Sequence, residues 1–228
     1  MNGQRQRLKH IDFTKKSSNP VGFSIKQILF IILSLLVFTA PDTLAQKYRS
    51  AKEAHGLTVG MKAPDFTAID QHGKIFSLGE QLKKGPVVMV FYRGFWCPVC
   101  NKHLKKLQDS LALIEAKGAR VIAISPEKPE YLEKMAGQTG ATFTLLYDDG
   151  YRIADAYDVT FRPDKSTLVL YNVFAGADLK KSHSDESEQL PIPATYIIDK
   201  NGRIIWRQFD PHYKHRSMVK DILNALKH

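Results

Sequence analysis

Cys97 and Cys100 are the only two cysteines in the chain, set two residues apart as Trp96-Cys97-Pro98-Val99-Cys100. A dithiol at this spacing forms and breaks a disulfide, provided one sulfur is held as a thiolate, which is the nucleophilic form. Other readings of the pair fare worse. A structural zinc needs four ligands, whereas Cys97, Cys100 and His103 supply at most three, so no metal is expected. Haem attachment calls for His directly after the second cysteine, and position 101 is Asn. A purely structural disulfide across two residues would constrain the unfolded chain very little. Redox exchange is left as the expected chemistry, with no cofactor beyond the Cys97–Cys100 disulfide and an external thiol reductant.

The neighbouring residues must position those sulfurs. Pro86 to Tyr92 is an unbroken apolar, β-branched run of strand length, as expected of a central strand buried on both faces. Gly94 then permits a turn, and Pro98 suits the first position of a helix whose apolar face is Leu104, Leu107, Leu111 and Leu113. The cysteines therefore sit at a helix N-terminus, where free N–H groups and the macrodipole favour a thiolate. Arg93 could stabilise a thiolate or a developing anion, or make an ordinary ion pair. Trp96 is placed to shield the dithiol and offer an apolar contact surface, or else to pack in the core. His103, one turn on, is expected to face solvent.

The remaining elements alternate in a way that specifies an α/β fold. Residues 46–59 read as an extended lead-in, followed by a hairpin of Phe66 to Ile69 and Lys74 to Ser77. After the cysteine helix, Ala119 to Ile124 is a second apolar strand, which completes a βαβ unit with a parallel sheet. Pro129 to Gly137 reads as helix, Thr142 to Leu146 as strand and Gly150 to Tyr157 as a short helix, with Asp148 and Asp149 serving its dipole. Leu168 to Val173 reads as strand and Lys180 to Glu188 as a polar surface loop. Ala194 to Asp199 and Ile204 to Phe209 form a hairpin, and Ser217 caps a last helix with Met218, Ile222, Leu223 and Leu226 on its apolar face.

Six basic residues precede a 13-residue apolar core, Ile28 to Ala40, and small residues flank a cut after Ala45. This is the pattern of a secretory signal over residues 1–45, with an uncleaved membrane anchor as the alternative. An exported, periplasmic protein is expected, in contact with the membrane only if that segment is retained. The formal charge is +10; residues 1–45 hold 6 basic and 2 acidic residues, which leaves +6 on residues 46–228. Those charges are mixed, without the basic tract or aromatic platform of a nucleic-acid binder.

Three stretches together resemble the peroxiredoxin-like branch of the alkyl hydroperoxide reductase/thiol-specific antioxidant family. They are Gly60-Met61-Lys62-Ala63-Pro64-Asp65-Phe66, Phe91 to Cys100 with Ala123 to Pro126, and Leu190 to Asp199. The resemblance covers about residues 58–228 and is weak between 159 and 189, a variable insertion. It implies one thioredoxin-like domain over residues 60–228, with a central mixed sheet flanked by helices and extended by the N-terminal β-hairpin. It also implies a peroxide or disulfide substrate and a thioredoxin-like or membrane-linked reductant.

The departures from the family matter. Peroxiredoxins place Pro and Thr or Ser seven and three residues before the attacking cysteine. If Cys100 is that cysteine, Arg93 and Cys97 stand at those places. An Arg expected just before the strand at Ala194 is replaced by Pro193, which resembles the thioredoxin proline opposite the dithiol. Three readings follow. In a thiol peroxidase Cys100 attacks peroxide and Cys97 resolves the sulfenic acid. In a protein-disulfide reductase Cys97 attacks and Cys100 resolves. The third is a non-catalytic binding domain whose dithiol has no low-pKa member.

Overall fold

A computed structural model describes residues 48–227, so the secretory signal expected over 1–45 lies outside the described residues. In chain order the elements are β1 (Thr67–Asp70), β2 (Ile75–Ser77), α1 (Leu78–Leu82), β3 (Val87–Phe91), α2 (Pro98–Asp109), α3 (Leu111–Glu115), β4 (Arg120–Ser125), α4 (Pro129–Thr139), β5 (Thr144–Tyr147), α5 (Arg152–Ala156), β6 (Thr160–Phe161), α6 (Lys165–Val169), α7 (Leu179–Ser182), β7 (Leu190–Pro191), β8 (Ala194–Ile198), β9 (Ile204–Phe209) and α8 (Val219–Ala225). One sheet runs β2-β1-β5-β4-β3-β8-β9. Within it β3, β4 and β5 are mutually parallel, while β8, β9 and the β1–β2 hairpin are antiparallel to their neighbours.

Strand β3 is central and buried along its whole length, as its unbroken apolar run requires. Alternate residues serve opposite layers. Val87, Met89 and Phe91 pack with Leu78, Leu82, Ile153 and Tyr157, whereas Val88, Val90 and Tyr92 pack with Leu104, Leu107, Ile114, Leu132 and Ile222. The second layer also takes in Cys97 and Cys100, so the dithiol is anchored to the core beneath α2. Asp148 accepts from the Ile153 and Ala154 backbone N–H groups at 2.8 Å each, the helix-start role expected of it.

Several expected elements differ. The apolar helix expected as far as Lys117 breaks at Ser110 into α2 and α3, leaving Leu113 exposed. Leu168 to Val173 is helix rather than strand: Asp164 caps α6 through the Thr167 N–H at 2.9 Å, and a π-helical turn continues it over Leu170–Phe174. Leu168 is buried, whereas Val169, Leu170, Val173 and Phe174 face outward. The polar stretch after it is not a free loop either. Leu179, Ser182 and His183 are fully buried, and His183 bridges β-fashion to Glu127. Ala51–Glu53 forms a 3-10 turn within the lead-in. At the C-terminus Met218 rather than Ser217 caps α8, and Met218 is exposed instead of lying on the apolar face.

Candidate active site around the Cys97–Cys100 dithiol

The chain leaves β3 at Phe91, turns through Arg93 and Gly94, and enters α2 with Cys97 as N-cap and Pro98 in the first turn. The Cys97 N–H bonds the Gly94 carbonyl at 3.1 Å, and the Asn101 side-chain amide bonds the Phe95 carbonyl at 3.0 Å, which fixes the turn. Cys97 and Cys100 are both free thiols and both wholly buried.

Two guanidinium groups flank the sulfurs. Arg93 Nη2 donates to Cys97 Sγ at 3.0 Å, while Arg93 Nη1 donates to the Tyr171 hydroxyl at 2.7 Å. Arg93 itself is 3% exposed, within 4.1 Å of the Tyr213 ring centroid and 5.0 Å of the Trp96 and Tyr171 rings. Burial pulls the guanidinium's pKa down, but the neighbouring sulfurs outweigh it and hold the group firmly protonated. Arg216, from the segment before α8, reaches Cys100 Sγ at 3.6 Å on the other side.

The surroundings shift the two thiols in opposite directions. Burial pushes the Cys100 thiol up, but the hydrogen bond from Cys97, followed by the Arg216 and Arg93 charges, holds it well below the ordinary thiol value. Cys97 is raised by the hydrogen bond it gives Cys100, then by burial and by the Cys100 charge, with Arg93 opposing.

Glu127, just past the end of β4, is a third charged group at the site and is 0% exposed. Its Oε2 accepts from the Phe95 N–H at 2.7 Å. Burial pushes its carboxyl up to about 8, with the Phe95 N–H opposing and the Cys100 charge adding to the rise. Glu127 Oε1 and Trp96 Nε1 each lie 2.5 Å from where a Cβ on Gly94 would stand. Space, as well as the turn, therefore demands glycine here. Gly94→Ala should cost about 2–3 kcal/mol, within the range for overpacking, and displace Trp96. Urea unfolding and near-UV circular dichroism measure this; a loss below about 0.5 kcal/mol would show that the site yields freely.

Of the expected site residues, Cys97, Cys100, Arg93 and Trp96 come together. Trp96 is half-buried against Tyr171, with ring centroids 4.8 Å apart. Pro193 is buried just ahead of β8; the β3–β8 register pairs Val90 with Thr195, which carries Pro193 across from Tyr92 at the same end of the sheet. His103 departs from expectation. It is buried, and its Nε2 meets the Ser217 hydroxyl at 2.9 Å, which in turn meets Thr195 Oγ1 at 2.9 Å. Burial holds His103 neutral, down at about 4. Sequence reasoning missed Arg216, Glu127, Tyr171 and Tyr213. Only Glu127 carried a signal, a charged side chain at the carboxyl end of a parallel strand, where α/β folds build their sites.

A dithiol at a helix start, flanked by two guanidinium groups, agrees with what the chain matches. Residues 59–207 match the AhpC/TSA family. The chain belongs to that family. It is 30% identical over 174 residues to the chloroplastic peroxiredoxin Q of Sedum lineare, which covers 75% of this chain and 80% of the relative. Thiol-disulfide oxidoreductase ResA of Geobacillus thermodenitrificans is 25% identical over 175 residues, 76% of this chain and 81% of the relative. Among solved structures, the peroxidoxin BcpB of Mycobacterium tuberculosis superposes with a TM-score of 0.58 at 20% identity, over 75% of this chain and 97% of that one, which shows the shared thioredoxin-like fold. This AhpC/TSA protein is an oxidoreductase of the thiol peroxidase or disulfide reductase kind, consistent with chemistry on cysteine thiols alone. Its expected helpers are arranged differently. Arg93 lies beside Cys97, and Arg216 brings a second guanidinium to Cys100 from the C-terminal segment, where position 193 holds proline.

Proposed function

We propose that the protein is a thiol peroxidase in which Cys100 is the attacking sulfur and Cys97 the resolving one. The single observation that carries this reading is the Arg216 guanidinium 3.6 Å from Cys100 Sγ, a positive charge that favours a thiolate on that sulfur. The Cys100 thiolate attacks one peroxide oxygen, the O–O bond breaks, and the departing alkoxide or hydroxide takes a proton to leave as alcohol or water. Cys100 becomes a sulfenic acid. Cys97 then attacks that sulfur, water departs, and the Cys97–Cys100 disulfide remains for two equivalents of thiol to reduce. Arg93 stabilises the charge that passes to Cys97 during resolution, while Trp96, Tyr171 and Tyr213 keep water from the sulfurs. Pro193 shapes the rim beside the dithiol without offering an N–H there.

The reductant is a thioredoxin-like or membrane-linked thiol, and the substrate is hydrogen peroxide or an organic hydroperoxide. The basic, apolar and small-residue pattern of residues 1–45 supports export to the periplasm, with membrane anchoring if the segment is retained. A disulfide reductase is the second reading, favoured by the Cys-Pro-Val-Cys helix start and the similarity to ResA. Assays with dithiothreitol as reductant separate the two. Peroxide consumption should reach a kcat/KM of about 10⁴ M⁻¹s⁻¹ or more, with insulin reduced no faster than by dithiothreitol alone. Rapid insulin reduction with negligible peroxide turnover would reverse the assignment.

A further inference from the structure

A groove of about 1150 Å³ opens beside the dithiol, between the exposed face of α2 and the chain from Lys214 to Asp221. Pro98 and Val99, the residues between the two cysteines, form its near end. Lys102 and Lys106 stand one helical turn apart along one wall, with Lys214 and Arg216 on the other. Among the described residues none of these four cations is in a salt bridge. Of the two acidic residues on the lining, Asp109 is paired to Lys105 at 3.1 Å, which leaves Asp221 as the counter-charge. The groove is far larger than a small peroxide requires and has the size and concavity of a small-molecule cleft.

Resting on the redox reading of the dithiol, we propose that this groove binds a second reductant beside the thioredoxin-like or membrane-linked one: a low-molecular-weight peptide thiol carrying carboxylates. Its lysines attract the carboxylates, and Arg216 couples binding to the redox state. In the reduced protein Arg216 faces the Cys100 thiolate at 3.6 Å; once the disulfide forms, that negative charge is gone and the guanidinium is free to take a carboxylate. The groove therefore holds the anionic thiol more tightly when there is a disulfide to reduce. The incoming thiolate attacks Cys100 Sγ, the S–S bond breaks, and Cys97 leaves as a thiolate beside Arg93 Nη2 at 3.0 Å before it is protonated. A second thiolate attacks the bound thiol's own sulfur, releasing the small disulfide and returning Cys100 as a thiolate. Two thiols are oxidised and one protein disulfide is reduced. Because both cysteines are wholly buried, a slender molecule reaches them more readily than a protein face.

The test starts from full-length protein oxidised with diamide, so it does not depend on peroxide chemistry. Stopped-flow tryptophan fluorescence follows reduction by glutathione, neutral 2-mercaptoethanol and cationic cysteamine, with rates corrected for thiolate fraction. Glutathione should outpace cysteamine by about tenfold or more at low salt, and the ratio should fall to within about threefold at about 0.5 M NaCl. Lys102→Glu/Lys106→Glu, and separately Lys214→Glu, should cut the glutathione to 2-mercaptoethanol ratio about tenfold. Lys74→Glu on the distant hairpin should leave it unchanged. Equal ratios in all variants, or charge sensitivity seen only with a reduced thioredoxin as donor, would overturn the proposal. Failure of diamide to form the Cys97–Cys100 disulfide would sink the redox reading along with it.

Discussion

Arg93→Met should slow sulfenate formation by about two orders of magnitude and destabilise the fold at the same time. The guanidinium is the point at which three demands meet. It donates to Cys97 Sγ, donates to the Tyr171 hydroxyl, and fills the space between the Trp96, Tyr171 and Tyr213 rings. Methionine keeps some of the bulk but leaves the thiolate without one of its two neighbouring positive charges, so the Cys100 thiol pKa should rise. It also removes the cation from three aromatic faces, a loss of about 2–4 kcal/mol when the group is this buried. Arg93→Lys distinguishes charge from shape. A lysine restores the charge, and with it part of the rate, but cannot span Cys97 and Tyr171 with one planar fork. Peroxide reactivity against pH, followed by stopped flow with a urea titration alongside, reads both effects. A rate within about threefold of wild type for Arg93→Met would remove Arg93 from the chemistry.

The second large effect is on pH dependence and belongs to Glu127. Its carboxyl is pushed up to about 8 in the native protein, against 4.5 for an exposed glutamate. The folded protein therefore retains a proton through the interval from 4.5 to 8 that the unfolded chain has released. Stability contributed by that proton is complete below about 4.5 and is lost as pH rises through about 8. Glu127→Gln keeps an acceptor for the Phe95 N–H without the titration. Relative to this variant, reduced wild type should lose about 3–5 kcal/mol between pH 5 and pH 8 in urea unfolding. The Cys100 thiolate accounts for part of the rise, so oxidation to the disulfide should shrink the difference. Parallel profiles for the two proteins would mean that Glu127 is ionised and compensated within the fold.

How far the site could be read from sequence follows from where each residue's constraint lies. Cys97, Cys100, Arg93, Gly94 and Trp96 are local to one strand-turn-helix, and the apolar run ahead of them specifies a central strand. Their positions follow from short-range geometry. Arg216 lies 116 residues beyond Cys100 in a segment of mixed basic residues and histidines. Nothing in its local pattern separates it from a solvated surface arginine. His103 reads as helix-surface histidine until that same segment folds over it and Ser217 takes its Nε2. Tyr171 sits in the apolar run Leu168 to Val173, which reads as strand; the Asp164 cap starts a helix there instead. Gly94 reads as turn chemistry in the sequence, and the close approach of Glu127 and Trp96 adds a steric reason that only the assembled site reveals.

The central claim is that Cys100 attacks and Cys97 resolves. One equivalent of hydrogen peroxide added to reduced Cys97→Ser and Cys100→Ser, with a dimedone-type trap and mass spectrometry of the intact chain, tests it most directly. Cys97→Ser should yield one trapped sulfenate, on Cys100, within a single turnover, and Cys100→Ser should yield none at the same time point. A sulfenate trapped on Cys97 in Cys100→Ser, with none on Cys100 in Cys97→Ser, would contradict the account and give the attacking role to Cys97.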